Sequence, residues 1–178
     1  MKPDLNPPSD LRIGNSQPAD LELIFGLFDA AIAYQEKNGY ELWPRFSEAM
    51  ILAEISEKRH WKVMEADRIV GVFSVMYSDP VIWLERNEDP AVYLHRIAVN
   101  PDFKGRSLML IIREWAKAHA LQQGKTFVRM DTWGTNEGLR KYYERCGFGY
   151  LGKQQLPETD HGPAHYGGSF LSLFQLRV

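Results

Sequence analysis

The chain has 178 residues, of which 44% are hydrophobic and 25% are charged. This length can bury an ordinary hydrophobic core, and the composition argues against wholesale disorder. The net charge of −2 lacks the basic excess of a nucleic-acid binder, and a single cysteine, Cys146, excludes an internal disulfide and a cysteine-rich zinc site. No apolar run is long enough for a membrane span or a signal peptide, so we expect a soluble cytoplasmic chain without nucleic-acid or membrane partners.

Hydrophobic periodicity divides the chain into helices and strands. Residues 1–9 contain three prolines and are expected to form a flexible arm, followed by one domain over 10–178. Spacings of three and four residues predict helices from Gln17–Asp20 to Asn38, from after Pro44 to about Lys58, over Leu108–Gln122 and over Asn136–Arg145. Runs of β-branched and aromatic residues predict strands over Leu11–Asn15, Trp61–Glu65, Ile69–Tyr77, Ala91–Val99, Thr126–Trp133, Phe148–Gln154 and Ser169–Arg177. Val81–Leu84 is expected to add a short turn of structure inside a loop over 79–90.

The order of these elements is β-α-α-β-β-β-α-β-α-β-β. Hairpins followed by βα units predict an α/β chain, with a mixed sheet and helices on both faces.

A basic turn follows the strand Ala91–Val99. Gly105 lies between Lys104 and Arg106, and a long helix begins immediately afterwards. Because the N–H groups at a helix start are unpaired and carry the positive end of the helix dipole, this turn is suited to hold a phosphate. The spacing fits neither the dinucleotide glycine fingerprint nor the Walker lysine loop, and a solvated loop is an open alternative.

A second motif lies on the helix after the next strand, where Asn136, Tyr143, Gly147 and Phe148 are spaced as Asn-x₆-Tyr-x₃-Gly-Phe. Together with the basic turn, it resembles the GNAT N-acetyltransferase superfamily. That family has a strand ending in an apolar-x-Val element, then a [Arg/Gln]-x-x-Gly-x-[Gly/Ala] turn and a helix carrying the second motif. The resemblance implies a GNAT-like acyl-CoA N-acyltransferase fold, with a central mixed, mostly antiparallel sheet.

The turn departs from the family pattern at three positions. Lys104 replaces Arg or Gln, which preserves the positive charge. Ser107 stands where glycine is expected, and Met109 stands where glycine or alanine is usual. Ser107 still offers its N–H and adds a hydroxyl donor, and serine is also a good helix N-cap. Met109 is expected to place bulk near the approaching pyrophosphate.

The resemblance implies direct transfer of an acetyl group from acetyl-CoA to a primary amine of a small molecule or peptide in a ternary complex, with no metal. It assigns the backbone of Ile97, Ala98 and Val99 to the pantetheine arm, with an N–H near Ile97 facing the thioester carbonyl. Asn136 is expected to bond the pantetheine, with helix capping as a compatible role. The implied pyrophosphate cradle consists of the N–H groups of Lys104, Gly105, Arg106, Ser107, Leu108 and Met109.

Tyr143 is the predicted general acid, because a phenol stays protonated at neutral pH and can protonate a leaving thiolate. Simple packing against Tyr142 is the alternative. His95 is the predicted base: by strand alternation it shares a face with Ile97 and Val99, and a neutral imidazole can accept an amine proton. A structural histidine is the alternative to that role. Glu85, Glu88 and Asp131 are further candidate bases.

Tyr40, Glu41 and Trp43 lie between the first two helices, where the family often builds its acceptor pocket. Tyr40 and Trp43 are therefore predicted to bind the acceptor, with ordinary packing as the alternative. Glu85, in the loop before the strand Ala91–Val99, is also predicted to bind it. The segment from Asp160 to His165 has two histidines four residues apart, but Gly162-Pro163 argues against the helix that would align them on a metal. A loop closing over the acceptor is preferred there.

One competing function is a catalytically silent GNAT-fold module that binds CoA or a partner. Ser107 and Met109 motivate it, whereas Tyr143 favours an enzyme, because a binding module needs no phenol at the acid position. A homodimer is possible, since dimers are common in the family.

Overall fold

In the computed structural model, residues 10–156, 168 and 170–178 are described. Within them, the α-helices are α1 Leu21–Lys37, α2 Glu48–Ser56, α3 Pro80–Trp83, α4 Leu108–Gln122 and α5 Glu137–Arg145. The strands are β1 Leu11–Asn15, β2 His60–Glu65, β3 Arg68–Met76, β4 Ala91–Val99, β5 Phe127–Trp133, β6 Gly149–Gln155 and β7 Phe170–Arg177. The predicted arm over residues 1–9 lies outside the described residues.

The observed bounds follow the predicted ones closely, and β4 and α4 have the same bounds as predicted. One difference is α2, which begins at Glu48 and not directly after Pro44. Ser47 sets this start, because its side chain accepts the N–H of Met50 at 3.2 Å and caps the helix. A second difference is the loop after β3, where α3 is followed by a 3₁₀ helix over Leu84–Glu88.

The strands form a seven-stranded sheet in the order β1-β2-β3-β4-β5-β7-β6. The pairing of β4 with β5 is parallel, whereas β1–β2, β2–β3, β5–β7 and β6–β7 are antiparallel. The predicted mixed sheet of an α/β chain is thereby confirmed.

The chain divides into two compact units, of which the first comprises the residues up to Val75 and His95–Trp115. Its core joins α1 and α2 to the sheet through Ile24, Phe28, Ile51 and Val72, together with Ala98.

The start of α4 is fixed against the sheet within this unit. Trp115 packs its ring 4.5 Å from that of Trp61 and 5.1 Å from that of Phe73. Gly71 lies so close to the helix start that a Cβ there would come within 2.8 Å of Leu108. The first turn of α4 is therefore held firmly against β3.

The second unit comprises Met76–Leu94 and the residues from Ala116 onwards. Its β5 pairs with β7 over the full length of the strand, from Phe127↔Arg177 to Trp133↔Leu171. A buried cluster in this unit combines α3 with β4, β7 and the residue after β6, and its members are Ile82, Trp83, Ala91, Tyr93, Leu156, Leu171 and Leu173.

Among the helices of the described residues, none combines the length and the apolar character that crossing a bilayer requires. The assignment of 10–178 to one domain stays a prediction.

Candidate active site

The second half of β4 contains a break in the regular strand. Its ladder with β5 runs from Ala91 to Leu94, and two residues later Arg96 adopts a left-handed backbone with φ of +51°. The alternation rule needs an unbroken pleat, so it does not carry across Arg96. His95 therefore cannot be placed on the face of Ile97 and Val99 by alternation, and its role as base stays a prediction.

A tight turn connects β4 to α4. After a 3₁₀ turn over Pro101–Phe103, the backbone is left-handed at Gly105 (φ +84°) and again at Ser107 (φ +55°). Glycine adopts this region freely, whereas serine is strained there. Ser107 thus occupies a backbone conformation for which glycine, the residue usual in the family, is suited, and it does not have the extended conformation of a standard N-cap.

Not all N–H groups of the turn are available to a ligand. The N–H of Lys104 donates to the carbonyl of Pro101, and that of Arg106 donates to Phe103. In the described part of the chain, the N–H groups of Gly105, Ser107, Leu108 and Met109 have no backbone acceptor. Of the six N–H groups predicted to bind pyrophosphate, two therefore already have an acceptor within the protein.

The two cations of the turn are engaged within the protein. The ammonium group of Lys104 lies 3.6 Å from the centre of the Tyr34 ring, and Arg106 forms an ion pair with Glu65 at 3.0 Å. Both cations are exposed, so each can move to a ligand at small cost. The present partners of both cations thus lie within the protein.

The side chain of Met109 is 3% exposed. The thioether is therefore packed in the interior, and the expectation that Met109 crowds the approach to the turn is wrong. Gly105 has open surroundings, because a Cβ built there would meet no atom within 4 Å. The turn therefore leaves space directly in front of its glycine.

Asn136 is the N-cap of α5, and its Oδ1 accepts the N–H of Leu139 at 2.9 Å. The capping role is thus observed. Among the described residues, the Nδ2 group of Asn136 makes no hydrogen bond, so its two donors remain for a ligand. Gly147, with φ of +91°, ends the helix, and the next residue of the motif, Phe148, is buried.

Tyr143 is the one buried residue of α5, with its ring 5.3 Å from that of Phe174 in an edge-to-face arrangement. Burial raises the pKa of Tyr143 well above the ordinary phenol value, and the neighbouring Tyr142, Cys146 and Asp131 add to the effect. Its hydroxyl has no hydrogen-bond partner within the described ranges. The phenol therefore keeps its proton throughout the physiological pH range.

The predicted acceptor residues have different environments. Trp43 is half-buried and packs against the rings of Phe28 and Phe46, so its ring serves mainly the core around α1 and α2. Tyr40 lies 6.4 Å from the ring of Tyr34 at the end of α1. In the second unit, Glu85 is exposed on the 3₁₀ helix after α3. The segment from Asp160 to His165 lies outside the described residues.

Sequence reasoning did not single out Glu54 and Arg96. Glu54 is 4% exposed on α2 and forms a close ion pair with Arg96. The available signal was a cation within an apolar strand and an acid on the apolar side of a helix, two features that usually require partners when buried.

Comparison with known proteins gives the family. A family model described as the Acetyltransferase (GNAT) family matches residues 27–148, more than half of the chain. The chain belongs to the GNAT acetyltransferase family. The resemblance predicted from the turn and the α5 motif is thus confirmed.

Relatives of this GNAT protein agree with that assignment. The uncharacterised N-acetyltransferase YesJ of Bacillus subtilis is 25% identical over 141 residues, which cover 75% of this chain and 78% of YesJ. A GNAT-family acetyltransferase from Listeria monocytogenes superposes with a TM-score of 0.75 at 24% identity, covering 94% of this chain and 95% of its own. The yncA protein of Salmonella typhimurium, solved with its cofactor acetyl-CoA, superposes with a TM-score of 0.67 at 16% identity, covering 95% and 94%. The predicted GNAT fold is thus confirmed.

Proposed function

We propose that this GNAT protein transfers an acetyl group from acetyl-CoA to a primary amine of a small molecule or peptide by direct attack in a ternary complex. The observation that carries the proposal is the turn between β4 and α4, where four neighbouring N–H groups lack a backbone acceptor in the described chain. Such a group of donors at a helix start suits a diphosphate. Family membership supports acetyl-CoA as its source, as does the acetyl-CoA held by yncA.

The backbone donors of the turn and the open space at its glycine support binding of CoA. In this proposal Gly105, Ser107, Leu108 and Met109 donate their N–H groups to the pyrophosphate, and the open space in front of Gly105 admits it. Lys104 and Arg106 then leave their present partners to neutralise the charge. The backbone of Ile97, Ala98 and Val99 binds the pantetheine arm, and the amide of Asn136 donates to the same arm.

Acetyl-CoA supplies an activated acetyl group, because a thiolate is a good leaving group. The protein has to stabilise the negative charge that develops on the thioester oxygen, and a backbone N–H near Ile97 takes that role. One such donor is typically worth about 3 kcal/mol in the transition state. Because this donor belongs to the backbone, it is held in place without further reorganisation.

Tyr143 is proposed to donate the proton that the departing thiolate needs. Its raised pKa keeps the phenol protonated at neutral pH, so the proton is present when the thiolate leaves. His95 is proposed to take the proton from the acceptor amine. Tyr40 and Glu85 are proposed to contact that amine, while Trp43 contributes through the packing of the loop between α1 and α2.

The proposal is tested by two measurements on the same protein. Calorimetric titration with CoA is expected to show binding, and thiol release from acetyl-CoA is expected with at least one member of a panel of polyamines, amino acids, aminoglycosides and peptides. Binding without thiol release on any amine would instead identify a catalytically silent CoA-binding module. Absence of CoA binding would contradict the proposal.

A further inference from the structure

Arg96 adopts a backbone conformation that its residue type disfavours. Its φ of +51° lies in the left-handed region, where the Cβ of a non-glycine residue is strained. Such residues persist only where the surrounding structure holds them, and they concentrate at functional sites. Arg96 directly precedes Ile97–Val99, the segment proposed for the pantetheine arm. The strained residue therefore lies next to backbone groups that CoA binding would use.

The side chain of Arg96 contacts residues that lie far from it in the sequence. Its guanidinium donates to a carboxylate oxygen of Glu54 on α2, and it lies 5.6 Å from the centre of the Phe46 ring. Glu54 also accepts the hydroxyl of Ser74 at 2.7 Å and lies 3.9 Å from Arg59. Buried charges are retained when they are paired and hydrogen-bonded in this way.

The carboxylate of this pair is almost fully enclosed. The Glu54 side chain is 5% exposed, and that of Arg96 is 14% exposed. Both Glu54 and Ser74 lie on elements of the compact first unit, so the carboxylate has a fixed position. A guanidinium bound to a fixed carboxylate restricts the backbone that carries it.

We propose that Glu54 is a positioning residue for CoA binding, which acts by holding Arg96 in its left-handed conformation and so orienting the backbone N–H and C=O groups of Ile97, Ala98 and Val99. The inference rests on the proposed function, since it concerns the same CoA site. Glu54 itself touches neither substrate nor reacting atoms in this account; it acts through Arg96.

Two substitutions at one position separate this role from simple stabilisation. Arg96→Ala and Arg96→Gly both remove the guanidinium. In both variants Glu54 keeps its hydrogen bond from Ser74 and its ion pair with Arg59. They differ in the backbone, because glycine adopts the left-handed region without strain and alanine does not. We expect Arg96→Ala to weaken CoA binding about tenfold and Arg96→Gly to weaken it by less than about threefold. A purely structural role predicts at least as large a loss for glycine.

A double-mutant cycle tests whether Glu54 acts through Arg96. Glu54→Gln is expected to weaken CoA binding in the wild-type background and to have no further effect in the Arg96→Gly background. An equal loss in both backgrounds, no loss in either, or an Arg96→Gly protein that binds no better than Arg96→Ala would overturn the inference. If either position-96 variant fails to fold, Glu54→Gln alone must still weaken binding in the folded protein.

Ile51→Val is the matched stability control. Ile51 is buried on the same helix and takes no part in the ion pair, so this variant is expected to lose stability while keeping the wild-type affinity for CoA. Failure of the wild-type protein to bind CoA would overturn the proposed function. Wild-type binding without a difference between the two Arg96 variants would overturn this inference alone.

Discussion

At the scale of single residues, Tyr143 combines a buried ring with a hydroxyl that stays protonated at neutral pH. The ring packs edge-to-face on Phe174, and its hydroxyl has no hydrogen-bond partner among the described residues. The ring and the hydroxyl can therefore be separated by substitution, because removal of the oxygen leaves the packing in place.

Tyr143→Phe is accordingly expected to lower the single-turnover rate of acetyl transfer by 10²- to 10⁴-fold, the range typical of general acid–base groups. CoA affinity and the free energy of unfolding are expected to change little. Rapid-quench measurement of acetyl transfer gives the rate, and Tyr142→Phe is the neighbouring control. Transfer by the Tyr143→Phe protein at the wild-type single-turnover rate would show that Tyr143 only packs.

The raised pKa of Tyr143 also has a consequence for the pH dependence. A phenol loses its function as an acid only when it deprotonates. Because its pKa lies above the ordinary value of 10, the wild-type rate is expected to show no alkaline loss assignable to Tyr143 below pH 10. An alkaline loss below pH 10 that is absent from the Tyr143→Phe protein would contradict this prediction.

His95 is the second residue whose role a substitution can test. If its imidazole accepts the amine proton, His95→Gln should lower turnover and alter the limb of the pH–rate profile on which the rate rises with pH. Glu85→Gln provides the comparison, because Glu85 is exposed and carries an alternative carboxylate. An unchanged rate and profile in the His95→Gln protein would show that His95 is structural. Glu85 and Glu88 would then be the next candidate bases.

At the scale of elements, the turn between β4 and α4 places two left-handed residues within three positions. The conformation of Gly105 costs a glycine little, whereas the one at Ser107 is strained by roughly 1–2 kcal/mol. The turn therefore retains one strained residue beside its glycine. Its function should be sensitive to bulk at Gly105, where the surroundings are open.

Gly105→Val is expected to weaken CoA binding about tenfold or more, since the side chain would occupy the space in front of the turn. The left-handed backbone adds a stability cost of roughly 1–3 kcal/mol. Gly124→Val is the matched control: Gly124 also has a positive φ and open surroundings, and it lies at the other end of α4. Calorimetry gives the affinities, and chemical unfolding gives the stabilities. Equal CoA affinities of the two variants would count against the turn as the pyrophosphate site.

At the scale of the whole molecule, a buried histidine makes the stability depend on pH. His60 is fully buried, and its Nδ1 lies 2.8 Å from the hydroxyl of Ser16. Burial, assisted by the charge of Arg96, lowers the pKa of His60 from 6.5 to about 4, although Asp20 opposes the shift. The unfolded chain therefore binds a proton at His60 in a pH range where the folded protein does not.

The free energy of unfolding should then carry a His60 contribution that is complete above pH 6.5 and disappears as the pH falls towards 4. The total is roughly 3 kcal/mol, from the size of the pKa shift. Urea unfolding of the wild-type and His60→Asn proteins between about pH 4 and 7 measures it. The difference between the two curves isolates His60, because all other groups titrate in both proteins. Parallel curves would contradict the assignment.

Local patterns in the sequence determined much of this fold. The bounds of β4 follow from a largely apolar segment that ends at Asn100-Pro101. Those of α4 follow from apolar residues at helical spacing and from the C-terminal Gly124. These signals are reliable because they depend only on neighbouring residues. One is the spacing of apolar residues on a buried face, and the other is a glycine or proline that ends an element. The family motifs have the same local character, which is why Asn136 and Tyr143 were found from spacing.

The tertiary structure decided the features that depend on partners far along the chain. Neither the left-handed backbone of Arg96 nor its pairing with Glu54, 42 residues away, has a local signal. In the same way, the sequence did not show that Met109 points inwards or that Trp43 belongs to the core. The sequence alone thus determined the elements, the family and the position of the turn. Which groups of that turn remain available to a ligand was decided only by folding, because hydrogen bonds and ion pairs between distant residues exist only after the chain has brought them together.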